Sequence, residues 1–272
     1  MPGHGSIALD GKTLRGSFDK FHDRAAAQIL SAFATDTALV LAHIDIAEKS
    51  NEIPAAQTLL AELGVAGDTI VTLDALHCQK HFAVAEDANI ALIVGVKDNQ
   101  PTLHQKAWEV TTTTAPLGSA CSHDKGRNRD ERRIVTVFDP NGMLADTDWH
   151  PHVATVIRVE RDVYTRNAKT GLLRHSAETA FYVSNTPVTA ARAAEAIRAH
   201  WKIENTSHYS RDVTLDEDRS RIRTNPGVFA RLRSFAFNIL KANQTDTLSQ
   251  DRYRAGLAGI KNLLSLTDIR QR

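Results

Sequence analysis

Two aspartates in this chain close short apolar runs. In "SIALDGKTLRGS", residues 6–17, Ile7-Ala8-Leu9 leads to Asp10, and in "TIVTLDA" the run ends on Asp74. If those runs are neighbouring buried strands, the two carboxylates point into one cleft. There they repel each other and stay ionised together only with a cation between them. Hard divalent cations such as Mg²⁺ take oxygen ligands, keep several waters and leave room for a phosphate oxygen. Two such ions roughly 3.5–4 Å apart can activate a nucleophile and stabilise a leaving oxygen in phosphoryl transfer. That chemistry asks for a third acid, and Glu204 in "AHWKIENTSHYSRDV" is the best candidate. At helical spacing Glu204, His208 and Arg211 (i, i+4, i+7) share a face and offer a carboxylate, an imidazole and a guanidinium to one site. Each residue also has a plainer reading. Asp10-Gly11 is a hairpin-turn signal, a strand-end aspartate is often a turn cap, and Glu204 alone would be a solvated helix residue.

The elements that must position these groups can be read from pattern. Residues 6–10 and two strands within 26–46, joined at Thr35-Asp36, form a three-strand meander. "EKSNEIPAAQTLLAEL" turns helical, with Ser50 or Asn51 as cap and Pro54 in the first turn. The strand "TIVTLDA", a helix from about Cys78 to Ala85, the strand "IALIVGVK" and the helix "PTLHQKAWEVTT" come next. From about 120 to 186 the texture changes to period-2 alternation, in "RRIVTVFD", "VATVIRVERDVYT" and "TAFYVSN". This predicts an antiparallel β segment outside the central sheet. From Val188 a long helix is expected through "HWKIENTSHYSRDV", with Trp201 and Ile203 packing in the core. A further helix covers "NPGVFARLRSFAFNILKANQ", and a weaker helical tail ends the chain. Short buried strands alternating with helices argue for an α/β layer fold. Its chemistry gathers at the strand ends.

Composition narrows the class. The 272 residues carry 42% hydrophobic and 24% charged residues, as an ordinary globular protein does. No apolar run reaches the roughly 18 residues of a membrane span, and no signal peptide is visible at the N-terminus. Cys78 and Cys121 are too few for a disulfide framework and suit a reducing cytosol. A net charge of +1 neither favours nor excludes nucleic acid. Local basic stretches, "KGRNRDERR" at 125–133 and "RSRIRTNPGVFARLR" at 219–233, can still bind phosphates. "DEDRSRIR" reads by default as a solvated charged face. "HCQKH" would suit zinc, but no second Cys/His cluster stands nearby, so residues at a helix start are the better reading.

Six motifs carry a resemblance. "ALDGKTLRGS", "EKSNEIPA", "VTLDALHCQK", "VGVKDNQ", "HWKIEN" and "DVTLDEDRSRIR", in this order, closely resemble bacterial insertion-sequence transposases of the DDE superfamily, in the group that includes the H-repeat-associated proteins. The resemblance runs from about residue 6 to about 243. It implies an RNase H-like α/β core, a mixed sheet flanked by helices, with an antiparallel β insertion before the last catalytic helix. The implied division is 1–119 first part of the core, 120–186 insertion, 187–243 catalytic and packing helices, and 244–272 a helical tail. It also implies that Asp10, Asp74 and Glu204 are catalytic and hold Mg²⁺ or Mn²⁺, as two ions. The partner is then double-stranded DNA, both terminal inverted repeats and target, with a homodimer on the DNA as one arrangement and no membrane. The place is the cytoplasm, at the nucleoid when bound to DNA.

Lys12 and Arg15 are placed to meet phosphate, and Lys80, Arg129, Arg133, His208 and Arg211 are further candidates. Lys97, Asn99 and Gln100 either contact substrate or form a simple turn before Pro101. The family usually carries an added N-terminal segment and a "KGHGR" stretch where this chain has "KGRNR". The alternative function is therefore a truncated, inactive remnant that at most binds DNA.

Overall fold

The computed structural model describes residues 5–46, 52–64, 69–74, 78–126 and 128–263, without the side chains at 52, 53, 78–81, 83, 258 and 260–263. Two compact units make up the chain: residues 1–63 with 199–272, and residues 64–198.

In the first unit β1 (Ser6–Thr13), β2 (Gln28–Ala34) and β3 (Leu39–Ile46) form the expected antiparallel meander. β1 does not stop at Asp10. Asp10-Gly11 is not a turn, because the ladder to β2 continues through Asp10↔Ser31 and Gly11↔Leu30 to Thr13↔Gln28. Helix α1 (Glu52–Glu62) packs on β2 and β3 with Leu59 and Leu60 buried. Ala8, Phe33, Val40, Ile203 and Phe237 make one core cluster of this unit, and Leu14, Ile29 and Ala230 another. The 3-10 turn Arg15–Ser17 lies hard against Ser220. A Cβ on Gly16 would collide with the Ser220 carbonyl oxygen. Gly16→Ala should therefore cost about 1–3 kcal/mol through forced backbone shifts. Thermal denaturation checks this, and an unchanged midpoint would contradict the packing.

In the second unit β4 (Ile70–Leu73) runs parallel to β5 (Ala91–Val96), joined by α2 (Cys78–Asp87). Both strands are short and apolar because both faces are covered. After α3 (Pro101–Thr113) come β6 (Gly118–Gly126), β7 (Arg129–Phe138), β8 (Thr155–Arg166) and β9 (Leu173–Ser184). They are antiparallel, as the alternation predicts, but they do not stand outside the sheet. β9 pairs with β5 from Ile93↔Ser184 to Val96↔Phe181, and the strand order of this unit is β4-β5-β9-β8-β7-β6. The edge of apolar β5 needs a partner, and the apolar end of β9, "AFYVS", supplies it.

β6 has no alternating apolar signal. Its sequence, "GSACSHDKG", is largely exposed, so pattern reading passed over it. Gly126 pairs with Arg129 across the hairpin, and Asn128 there has φ 64°. Asn is one of the few non-glycine residues that tolerate this left-handed conformation.

α4 (Ala190–His200) seals this unit's core, where Ala193, Ala196 and Ile197 meet Ile93, Val137 and Ile157. The single long helix expected from Val188 is broken. A π-helical turn, Ile203–His208, separates α4 from α5 (Tyr209–Val213), and Tyr209 N–H donates to the Glu204 carbonyl. α6 (Pro226–Ala242) buries Ala230, Ser234, Phe237 and Leu240, and α7 (Leu248–Leu263) forms the expected helical tail. Among the described residues no helix is long and apolar enough to cross a membrane. Three strands, then alternating helices and strands, then a β segment and helices make the mixed α/β, RNase H-like fold that the resemblance implied.

Candidate functional site

Asp10 sits in the middle of β1 and is partly buried. Its Oδ2 is 3.4 Å from His208 Nδ1. His208 reaches it from the π-turn, whose geometry depends on one anchor. Ile203 is fully buried in the first unit's core, and the wider π-turn re-phases the residues after it. Ser207 and His208 turn inward, whereas Glu204 faces solvent. Trp201, expected in the core, is 52% exposed, because two residues before buried Ile203 it falls on the opposite side of a helical chain. The shared face expected for Glu204, His208 and Arg211 is therefore split, with the carboxylate outside and the other two inside.

Burial, reinforced by the charges of Arg211 and Lys12, pushes the His208 pKa down to about 3. The imidazole next to Asp10 is neutral, and its buried Nε2 has no hydrogen-bond partner among the described residues. Behind it, His43 joins Ser31 Oγ at 2.8 Å to Ser234 Oγ at 2.5 Å. Burial first, then Arg211 and Arg231, lowers its pKa to about 3 as well.

Two residues expected to meet phosphate have other partners. Lys12 is on the same side of β1 as Asp10, two residues on, but it is buried. Its Nζ donates to Asp212 at 2.5 and 2.7 Å and lies 3.7 Å from Asp218 and 3.9 Å from Glu217. Arg211 is fully buried and donates to Glu217 Oε1 from Nη2 at 2.8 Å. A buried guanidinium needs a carboxylate, and Glu217 is equally inaccessible. So "DEDRSRIR" is not a wholly solvated face. His208 is likewise turned from solvent toward Asp10. Sequence reading missed Asp212 and Glu217. The visible signal was a surplus of acids just after Arg211, in "RDVTLDED".

Arg15 remains exposed, 3.8 Å from Asp218. Arg133 and Arg161 donate to Glu131 Oε1 at 2.8 and 2.9 Å, and Arg129 bonds its other oxygen. Burial raises the Glu131 pKa, yet the hydrogen bond from Arg161 and the charges of Arg161, Arg133 and Arg129 bring it below the usual value. Arg133 is thereby mostly covered, whereas Arg129 stays half exposed. Asn99 is exposed, and Gln100 closes the turn before Pro101 by donating N–H to the Lys97 carbonyl at 2.9 Å. The Lys80 side chain and the zinc reading of "HCQKH" fall outside the described residues.

In the second unit Asp74 comes directly after β4 and is about half exposed. Lys97 Nζ donates to both its oxygens, at 2.7 and 3.0 Å. Among the described residues no three His, Cys, Asp or Glu side chains gather into a set able to hold a metal ion. The donor chemistry still suits Mg²⁺. Asp74 already holds a cationic group across both oxygens. Mg²⁺ is commonly held by one or two carboxylates, with waters and substrate phosphates completing its shell.

An RNase H-like fold with an acid on its first strand, a second after β4 and a third on the π-turn after α4 points to the DDE class. The chain belongs to the family described as Transposase DDE domain, whose model matches residues 2–239. It is 35% identical over 245 residues to "Putative protein YbfL" of Escherichia coli K12, covering 86% of this chain and 63% of that protein. It is equally 35% identical, over 246 residues, to "H repeat-associated putative transposase YhhI" of the same strain, with the same coverage. Against "Putative transposase YncI" of Escherichia coli O157:H7 the identity is 31% over 244 residues, covering 86% of this chain and 61% of the relative. The chain thus spans less than two thirds of the length of these relatives.

Proposed function

We propose that this chain is the catalytic domain of a DDE-type transposase, carrying out metal-dependent phosphodiester cleavage and strand transfer at the ends of an insertion sequence. Residues 120–186 are an insertion within its core, and Asp10, Asp74 and Glu204 hold Mg²⁺ or Mn²⁺. The reading is carried by one observation above others. In a chain of this family, Asp10 on β1 and the π-turn bearing Glu204 are brought into contact, with Asp10 next to His208.

The reaction has two displacements. In the first, water attacks phosphorus and the 3′-oxygen leaves. In the second, the freed 3′-hydroxyl attacks a target phosphodiester and displaces the 3′-oxygen of the target strand, which leaves as a hydroxyl. A divalent metal, when bound, would supply the Lewis acid that lowers the nucleophile's pKa and offsets charge on the phosphoryl oxygens. The protein's own part is orientation. The β1–β2 ladder fixes Asp10, the neutral His208 stands beside it, and Ile203 anchors the turn carrying Glu204. Arg15, Lys97, Asn99 and Arg129 are the exposed groups left to meet DNA.

Nicking of a supercoiled plasmid should need added Mg²⁺ or Mn²⁺ and stop in EDTA. With about three cationic phosphate contacts, DNA affinity should fall roughly 40-fold between 50 and 200 mM salt. Nicking that persists in EDTA would rule out the metal mechanism, and a salt-independent affinity would rule out these contacts.

A further inference from the structure

Asp74 and Lys97 stand at the ends of adjacent parallel strands, each just past its last residue. β4 ends at Leu73 and β5 at Val96, and Leu73 is level with Val94. The strand residues beneath them are buried, so the two backbones are firmly placed. The side chains are not. Asp74 is 49% and Lys97 64% exposed, although the ammonium spans both carboxylate oxygens. An exposed pair of this kind contributes little to stability, so it opens readily. A four-carbon stem on a fixed backbone can then carry the ammonium several ångströms away without disturbing the sheet.

Resting on the transposase reading above, we infer that Lys97 is a displaceable counter-ion of Asp74. In the metal-free chain its ammonium neutralises the carboxylate, and it moves to a DNA phosphate when the carboxylate takes a divalent cation. The charges require the exchange. A dication and an ammonium cannot share the same two oxygens, because like charges a few ångströms apart repel strongly. The released ammonium needs another anion. The substrate brings one to that site, since the phosphate to be cut must approach the same cation. Before metal arrives, the pair also spares incoming DNA the repulsion of a bare carboxylate. Lys97 thus has a positioning role that precedes the chemistry and a phosphate contact that accompanies it.

Lys97→Met keeps the stem and removes the charge, and the exposed site should tolerate it. Mn²⁺ titration of the metal-free chain, read by electron paramagnetic resonance of the free ion, should show binding up to about fivefold tighter in Lys97→Met, the competing pair being worth about 1 kcal/mol at most. DNA affinity in Ca²⁺ should change in the opposite sense, weakening with a salt slope smaller by about one. Lys97→Arg should restore both values toward those of the native chain. A merely structural lysine would not move the two affinities in opposite directions. Equal or weaker Mn²⁺ binding in Lys97→Met overturns the counter-ion role, and an unchanged DNA salt slope overturns the phosphate contact. Equal Mn²⁺ binding by the native chain and Asp74→Asn would instead overturn the transposase metal reading on which the inference rests.

Discussion

Asp10→Asn, Asp74→Asn and Glu204→Gln should each lower metal-dependent plasmid nicking about a thousandfold or more, while leaving the fold intact. The amide keeps the size and shape of the carboxylate and removes the charge that holds a cation. Losing a few kcal/mol of transition-state charge stabilisation corresponds to that factor. None of the three positions is deeply buried, so stability should change little. Asp10 is partly covered, Asp74 half exposed, and Glu204 open to solvent. Nicking is measured as loss of supercoiled plasmid, and denaturation midpoints serve as the control. Activity that survives any one substitution would remove that residue from the site. Loss of activity together with loss of folding would assign it a structural role instead.

The parts of this protein that the sequence announces are those where one physical rule acts alone. "IVTL" and "ALIVGV" are almost entirely apolar because both faces of β4 and β5 are covered, and they read as buried strands at once. Asp10 and Asp74 stand out because a carboxylate at the end of an apolar run is costly without a reason. The failures come where two rules compete. Asp10-Gly11 is a strong turn signal, yet seven ladder pairs with β2 hold it extended. Residues 188–213 keep a helical look, but the core's demand for Ile203 inserts a π-turn that no 3.6-residue count reveals, which puts Glu204 apart from His208. Lys12, with a glycine before it and Arg15 three residues on, looked like a phosphate ligand. Its true partners, Asp212, Glu217 and Asp218, lie 200 residues or more away, beyond any local pattern.

That long-range cluster carries the largest expected effect on stability. Arg211→Met should destabilise the protein by about 3–5 kcal/mol, because it leaves Glu217 charged and alone in a site with 1% side-chain exposure. Lys12 stands 3.9 Å from Glu217 Oε2 but is already engaged by Asp212 at 2.5 Å, so it compensates only in part. Arg211→Met combined with Glu217→Gln should cost less than Arg211→Met alone, since the stranded charge is then gone. Arg231→Ala gives the scale. It breaks a 2.7 Å pair with Asp45 whose members are about half exposed, and it should cost less than about 1 kcal/mol. Urea denaturation at neutral pH measures all three, and a cost for Arg211→Met no greater than that for Arg231→Ala would refute the buried-charge argument. The consequence reaches the candidate site. Arg211 lies in α5, three residues beyond His208, and Glu217 lies in the segment that also packs on Gly16 and meets Lys12. The pair therefore ties the turn bearing Glu204 and His208 to the strand bearing Asp10, so loosening it should disturb the placement of both acids before the chain unfolds.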